Sequence, residues 1–175
     1  MKEYSSGNFT YIPSDERLLT AELESNESLS RLLNAQIGND WPPGEYDRNA
    51  IEYFLEQHKL KGSQSEGWFG WYVLAETEES KRELIAAAGY FGPPDEEGSV
   101  EIGYSIVESR RGKGAATEIV GFLVKNAFQD PRVLVIKART TSDNPGSIKV
   151  LERNRFLLER KEEHSGTLSF ILKKY

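Results

Sequence analysis

The chain has 175 residues, 38% of them hydrophobic and 29% charged, with 28 acidic and 22 basic side chains and a formal net charge of −6. That length suits one domain with its own core, and the negative balance argues against a general nucleic-acid binder, which needs a basic footprint. The absence of cysteine excludes a disulfide framework, a thiolate metal site and a cysteine nucleophile.

Only two histidines are present, His58 and His164; they lie far apart without ligand spacing, so no metal is expected. No apolar run approaches the roughly 18 residues of a membrane span. The first residues, Met1 to Gly7, lack the apolar segment of a signal peptide. The expectation is a single cytoplasmic domain over residues 1–175, with no membrane partner.

In chain order, Glu16 to Leu23 reads as a strand, or a strand entering a helix. Ser25-Asn26-Glu27 supplies helix-capping chemistry ahead of Leu29, Leu32 and Leu33, which have helical spacing. Asp40-Trp41-Pro42-Pro43-Gly44 is a rigid loop, because proline fixes φ and removes a donor. Asp47 caps a second helix with Ile51, Phe54 and Leu55 on one side, stopping near Gly62.

From Trp68 the texture changes. Trp68–Glu76 and Glu83–Phe91 read as a pair of strands, and the acidic turn Pro93–Gly98 leads to a third, Ser99–Val107. Three consecutive short strands are most simply paired as an antiparallel meander. The clearest helix follows, from Gly114 to Phe128, with Ala116, Ile119, Val120, Leu123, Val124 and Ala127 along one stripe. Asp130-Pro131 ends it. Val133–Thr140 is a further strand, Asn144-Pro145-Gly146-Ser147 opens a short helix, and Phe156–Glu162 and Thr167–Lys173 close the chain as strands. This order predicts an α+β or mixed-sheet α/β domain.

The chemistry concentrates between the third strand and the long helix. Gly112 and Gly114 permit close backbone approach and positive φ. Ala115 and Ala116 leave the first helical N–H groups uncovered, at the positive end of the helix dipole. With Arg110, Arg111 and Lys113 alongside, the segment is suited to a phosphate or pyrophosphate. Neither the Walker pattern nor GxGxxG is met, since Thr117 stands where the third glycine of the latter belongs.

Arg111-Gly112-Lys113-Gly114-Ala115-Ala116 resembles the (Q/R)-x-x-G-x-(G/A) signature of the GNAT superfamily of acetyl-CoA-dependent N-acetyltransferases. Val100–Ser105 is similar to that family's fourth strand. Ala116-Thr117-Glu118, and Asn144-x-x-Ser147 followed by Leu151 and Arg155-Phe156, resemble the branch that includes the ribosomal-protein N-terminal acetyltransferases. Arg155 departs from that branch, which has glycine there, and this puts the shape of the turn in question. The resemblance is strong over residues 68–175 and weaker over 1–67.

It implies the acyl-CoA N-acyltransferase fold, a central mixed, mostly antiparallel sheet flanked by helices. It also implies acetyl-CoA as co-substrate and a primary amine as acceptor, either a protein N-terminus or a small molecule, attacking directly in a ternary complex. By resemblance Arg111, Gly112, Lys113, Gly114, Ala115 and Ala116 hold the pyrophosphate. The backbone at Ser105, Ile106 and Val107, splayed from its neighbour at a bulge, bonds pantetheine and the thioester oxygen, and Asn144 contacts the cofactor or caps the following helix.

An alkyl amine titrates near 10, so its proton needs an acceptor. Glu101 is the candidate base, on the strand face it shares with Gly103 and Ser105, where small residues leave room and partial burial suits a proton acceptor. Many relatives protonate the leaving thiolate with a tyrosine seven residues after the asparagine; here that residue is Leu151, and Ser147 is the candidate acid, directly or through water. Trp41, Tyr46, Trp68 and Phe91 are candidate walls for the amine, with Asp40, Glu45 or Asp95 to attract it.

The competing reading is a non-catalytic acyl-CoA-binding or regulatory module; an unrelated phosphate-binding domain is a third. A homodimer is left open. Charge divides unevenly: residues 1–100 hold 19 acidic and 8 basic side chains, and residues 101–175 hold 9 and 14, so the coenzyme A signature lies in the basic part.

Overall fold

A computed structural model describes residues 1–175 as eight strands and five α-helices. In chain order these are β1 (Tyr4–Ser6), β2 (Phe9–Pro13), α1 (Glu16–Glu24), α2 (Asn26–Leu33), α3 (Arg48–Lys61), β3 (Phe69–Glu76), β4 (Arg82–Phe91), β5 (Ser99–Ile106), α4 (Ala115–Gln129), β6 (Val135–Thr141), α5 (Pro145–Arg153), β7 (Leu157–Lys161) and β8 (Thr167–Lys173). The strands order as β1-β2-β3-β4-β5-β6-β8-β7 in one sheet. Its β1/β2, β2/β3, β6/β8 and β7/β8 pairs are antiparallel, and β5/β6 is parallel. The chain divides into two compact units, residues 1–89 with 104–111 and residues 90–103 with 112–175.

In the first unit Glu16–Leu23, expected as a strand or a strand entering a helix, lies wholly in helix α1. Asp15 accepts a hydrogen bond from Leu18 N and caps α1, whose Leu18, Leu19, Ala21 and Glu22 are buried. A carboxylate among the inward positions disguised the amphipathic pattern. Ser25 caps α2 and Asp47 caps α3, each accepting from the backbone N–H three residues on. Helix α3 stops at Gly62, whose φ of 53° suits glycine at a helix end. Strand β3 is buried on both its faces, with Trp71, Tyr72, Val73 and Leu74 all nearly inaccessible, so it reads as a continuous apolar run. Two strands stood outside the expected elements, β1 and β2; β2 brings Tyr11 and Ile12 into the core and pairs with β3 from Phe9↔Ala75 to Pro13↔Trp71.

In the second unit α4 buries the expected stripe of Ile119, Val120, Leu123 and Ala127. Tyr90 donates to Leu123 O at 2.6 Å and to Asn126 Oδ1 at 3.0 Å. Asn154 donates to Thr117 O at 3.1 Å and to Val150 O at 2.9 Å, tying the end of α5 to the first turn of α4. Arg155, the residue that departs from the resembled branch, takes φ 66°. The turn therefore keeps the left-handed shape a glycine would give it, carried by an arginine at some strain.

Candidate active site

The segment from β5 to α4 passes through a short 3₁₀ turn, Glu108–Arg110, before reaching the glycines. Gly112 and Gly114 have φ of 75° and 84°, and a Cβ built on either meets nothing within 4 Å. Gly114 is the N-cap of α4 and supplies no side-chain hydrogen bond to the helix. The first N–H groups of α4 thus open from small residues, with Ala115 buried and Ala116 half-buried. The physical requirements of an anion cradle are met by this backbone: open space over glycines and a helix start that no side chain caps. Arg111 Nε donates to Ile106 O at 3.0 Å, so the arginine clips the entry of the loop to the end of β5.

The parallel ladder of β5 with β6 runs from Ser99↔Val135 to Ile102↔Ala138 and does not continue to Gly103 and Arg139. Strand β5 itself continues to Ile106. The pairing with β6 thus ends at Ile102, before the end of β5. One expected backbone donor is already engaged, however. Val107 N donates to Ile85 O at 2.9 Å, so its N–H is not the open group the resemblance implied.

Glu101 stands opposite Lys137 on the ladder, and its Oε1 accepts from Arg139 Nε at 2.7 Å. The Glu101 side chain is 29% exposed. This carboxylate is held by a charge-assisted hydrogen bond rather than enclosed by apolar neighbours. The room expected beside Gly103 is taken by an aromatic ring: a Cβ at Gly103 would lie 2.9 Å from Phe91, which is itself 48% exposed. Glu101, Phe91 and Arg139 consequently share one patch of the second unit.

Asn144 Oδ1 accepts from Ser147 N at 3.1 Å, so Asn144 caps α5 and Ser147 sits in its first turn, half-buried. Leu151, at the position of the usual tyrosine, is fully buried. Site residues thus fall into two sets: Ser105, Ile106, Val107 and Arg111 in the first unit, and Glu101, Gly112 to Ala116, Asn144 and Ser147 in the second.

The loop expected to offer an acceptor wall behaves differently. Trp41 is 5% exposed, and its indole N–H and the Tyr46 hydroxyl both donate to Glu22 rather than lining an open surface. Asp40, in the same loop, accepts from Ser109 N at 3.2 Å and from Ser109 Oγ at 3.0 Å. Burial pushes the Asp40 carboxyl up, but these bonds and the Arg111 charge outweigh it and hold the group below its ordinary value. Arg139 and Glu22 carry no local signal in the sequence, and neither does the contact of Asp40 with Ser109, because the partners lie far away along the chain.

This architecture is that of an acyltransferase. Over 98% of both chains it superposes on RimL, a ribosomal L7/L12 α-N-protein acetyltransferase in complex with coenzyme A, with TM-score 0.69 and 15% identity. It also matches the ribosomal-protein-S5-alanine acetyltransferase of Vibrio fischeri (TM-score 0.67, 17% identity, 99% of this chain and 97% of that one). A spermidine N-acetyltransferase SpeG chimera of Vibrio cholerae is similar too (TM-score 0.65, 15% identity, 95% and 96%). Residues 11–157 match the acetyltransferase (GNAT) domain. The chain is 31% identical over 144 residues to YjdG, an uncharacterised N-acetyltransferase of Bacillus subtilis strain 168, covering 82% of this chain and 83% of that protein. The chain belongs to the GNAT acetyltransferase family.

Proposed function

We propose that residues 1–175 act as one N-acetyltransferase domain that transfers the acetyl group of acetyl-CoA to a primary amine by direct attack in a ternary complex. The observation that carries this reading is the open glycine loop, with Gly112 and Gly114 at positive φ ahead of a helix start that no side chain caps. Arg111, Lys113 and the N–H groups from Gly112 to Ala116 would receive the pyrophosphate. The released end of β5 at Ser105 and Ile106 would receive pantetheine and polarise the thioester carbonyl.

In the reaction the amine nitrogen bonds to the acetyl carbon, the carbon–sulfur bond breaks, and the amine proton must leave. Glu101, which accepts a hydrogen bond from Arg139, is the group we assign to accept it, directly or through one water. Ser147 is the side chain we assign to protonating the departing thiolate, alone or with water. The acceptor class we favour is cationic, a protein N-terminus or a small polyamine-like amine. The acidic balance of residues 1–100 supports it, and the similar structures include enzymes named for substrates of both kinds.

The test has two stages. Acetyl-CoA at about 100 times its dissociation constant should stabilise the folded chain by roughly 2.7 kcal/mol, which is a rise in Tm of about 5–10 °C for a chain of this size. No shift at millimolar acetyl-CoA would sink the cofactor assignment. Thiol release over a panel of polyamines and N-terminal peptides then separates enzyme from binder. Binding without turnover across the panel favours the non-catalytic module, to which the buried Leu151 at the usual tyrosine position lends its weight.

A further inference from the structure

Glu22 is the chain's one buried carboxylate with three side-chain donors that the reaction above does not use. It is 8% exposed on the inner face of α1. Its Oε1 accepts from Trp41 Nε1 at 2.8 Å, and its Oε2 accepts from the Tyr46 hydroxyl at 2.9 Å and the Tyr72 hydroxyl at 2.6 Å. Burial raises the Glu22 carboxyl above its ordinary value, and the donations from Tyr72, Tyr46 and Trp41 work against that.

A buried carboxylate is costly to keep unless its oxygens are occupied, so such a group fixes whatever supplies the donors. Here two of the three donors are the two ends of one loop. Trp41 and Tyr46 bracket the segment Pro42–Glu45, and their rings meet edge-on with centroids 5.8 Å apart. Tyr72 lies on β3, within the core. The loop is thus fastened at both ends to a single point on α1 and β3.

What the fastened loop touches gives it a role. Immediately before it, Asp40 accepts from the backbone and side chain of Ser109, in the turn that leads to the glycine loop. In its middle, a Cβ built on Gly44 would lie 3.4 Å from Ser105 Oγ and 3.8 Å from Arg111 Nη2. Ser105, Ser109 and Arg111 belong to the one stretch of chain, the end of β5 and the entry of the anion loop, that the proposed reaction assigns to the cofactor. All of these contacts lie within the first unit.

We propose that Glu22 is a positioning residue: by gathering Trp41 and Tyr46 it holds the loop 40–46 as a strap against Ser105, Ser109 and Arg111, and so sets the acetyl-CoA affinity of the chain without touching the cofactor. The proposal rests on the assignment of residues 105–116 to acetyl-CoA. A neutral amide at position 22 keeps the volume but offers one acceptor oxygen and an NH₂ group where two tyrosine hydroxyls now donate, so one end of the strap comes loose.

The measurement is acetyl-CoA affinity by titration calorimetry on the full chain, for wild type, Glu22→Gln, Tyr46→Phe, Asp40→Asn, Arg111→Ala and the double variant Glu22→Gln/Asp40→Asn. Glu22→Gln is expected to weaken binding about five- to tenfold, and Tyr46→Phe about two- to threefold while retaining a native thermal transition. Tyr46→Phe therefore carries the test should Glu22→Gln fail to fold. If the strap transmits the effect, the double variant falls well short of the product of the singles, because contacts in one network are not additive. Additive losses from Glu22→Gln and Asp40→Asn would overturn the proposal, as would unchanged affinity in Tyr46→Phe alongside a lowered Tm. Wild-type binding that is weakened by Arg111→Ala while Glu22→Gln and Tyr46→Phe bind as tightly as wild type overturns the proposal alone. Absence of acetyl-CoA binding by the wild type overturns the cofactor assignment and the proposal with it.

Discussion

Glu101 is a side chain whose place on a strand is legible in the sequence while its surroundings are not. Its place on β5, on the face of Gly103 and Ser105, follows from strand alternation; its register opposite Lys137 comes from the structure. Its ion pair with Arg139 is not legible in the sequence, because 38 residues separate the two and only the parallel crossover brings them together. The pair changes the expected surroundings: the candidate base already accepts a charge-assisted hydrogen bond from a guanidinium, where apolar neighbours were expected. We expect Glu101→Gln to lower kcat by about 10²-fold or more, the lower range for removal of a general base, while acetyl-CoA affinity stays close to that of wild type. Steady-state kinetics and calorimetry on the same preparation decide it. A loss of affinity with unchanged kcat would move Glu101 from catalysis to binding.

Among the elements, the turn after α5 is the sharpest departure from the family pattern and the simplest to probe. Arg155 is exposed and holds φ 66°, a conformation that costs an L-residue roughly 1–2 kcal/mol relative to glycine. Glycine loses more chain entropy on folding, by about 0.5–1 kcal/mol, so Arg155→Gly should stabilise by a net of about 0.5 kcal/mol, seen as a Tm rise of about 1–2 °C. A lowered Tm would mean that the arginine side chain contributes more than its exposure indicates. The same turn shows why some elements were legible and others not. The run from β5 through α4 is announced by strand alternation, two glycines, small residues and a helical stripe, each a local signal. Helix α1 is hard to tell from a strand because its cap, Asp15, precedes a stretch in which the inward position 22 carries a charge. That charge makes sense only with Tyr72, 50 residues away, and Asp40 only with Ser109, 69 residues away. Strands β1 and β2 are three and five residues long, too short for a period of two to stand out.

For the whole molecule, stability carries a pH dependence that arises from a buried histidine of the first unit. His58, on α3, is 5% exposed; its Nδ1 lies 2.7 Å from Ser65 Oγ and its Nε2 lies 3.0 Å from Ser14 Oγ. Burial lowers its pKa below the ordinary 6.5, and this outweighs the Phe69 carbonyl and the charges of Asp15 and Glu16, which act to raise it. The unfolded chain therefore binds a proton near pH 6.5 that the folded chain refuses until the pH is lower. Between those two values the unfolded state holds more protons, so stability rises with pH there and is lost as the solution is acidified below about 6.5. Glu22 acts with the opposite sign: its raised pKa means that the folded state holds its proton longer, and stability falls as pH rises through the carboxylate range. The two contributions are separated by substitution at His58. We expect the wild-type Tm to fall between pH 7.5 and 5.5, and the fall to be shallower in His58→Gln, whose amide is polar but does not titrate. Thermal melts at half-unit intervals give the two slopes. Parallel slopes would show that the histidine is not the group the folded state keeps neutral, and would return the acid sensitivity to the surface carboxylates.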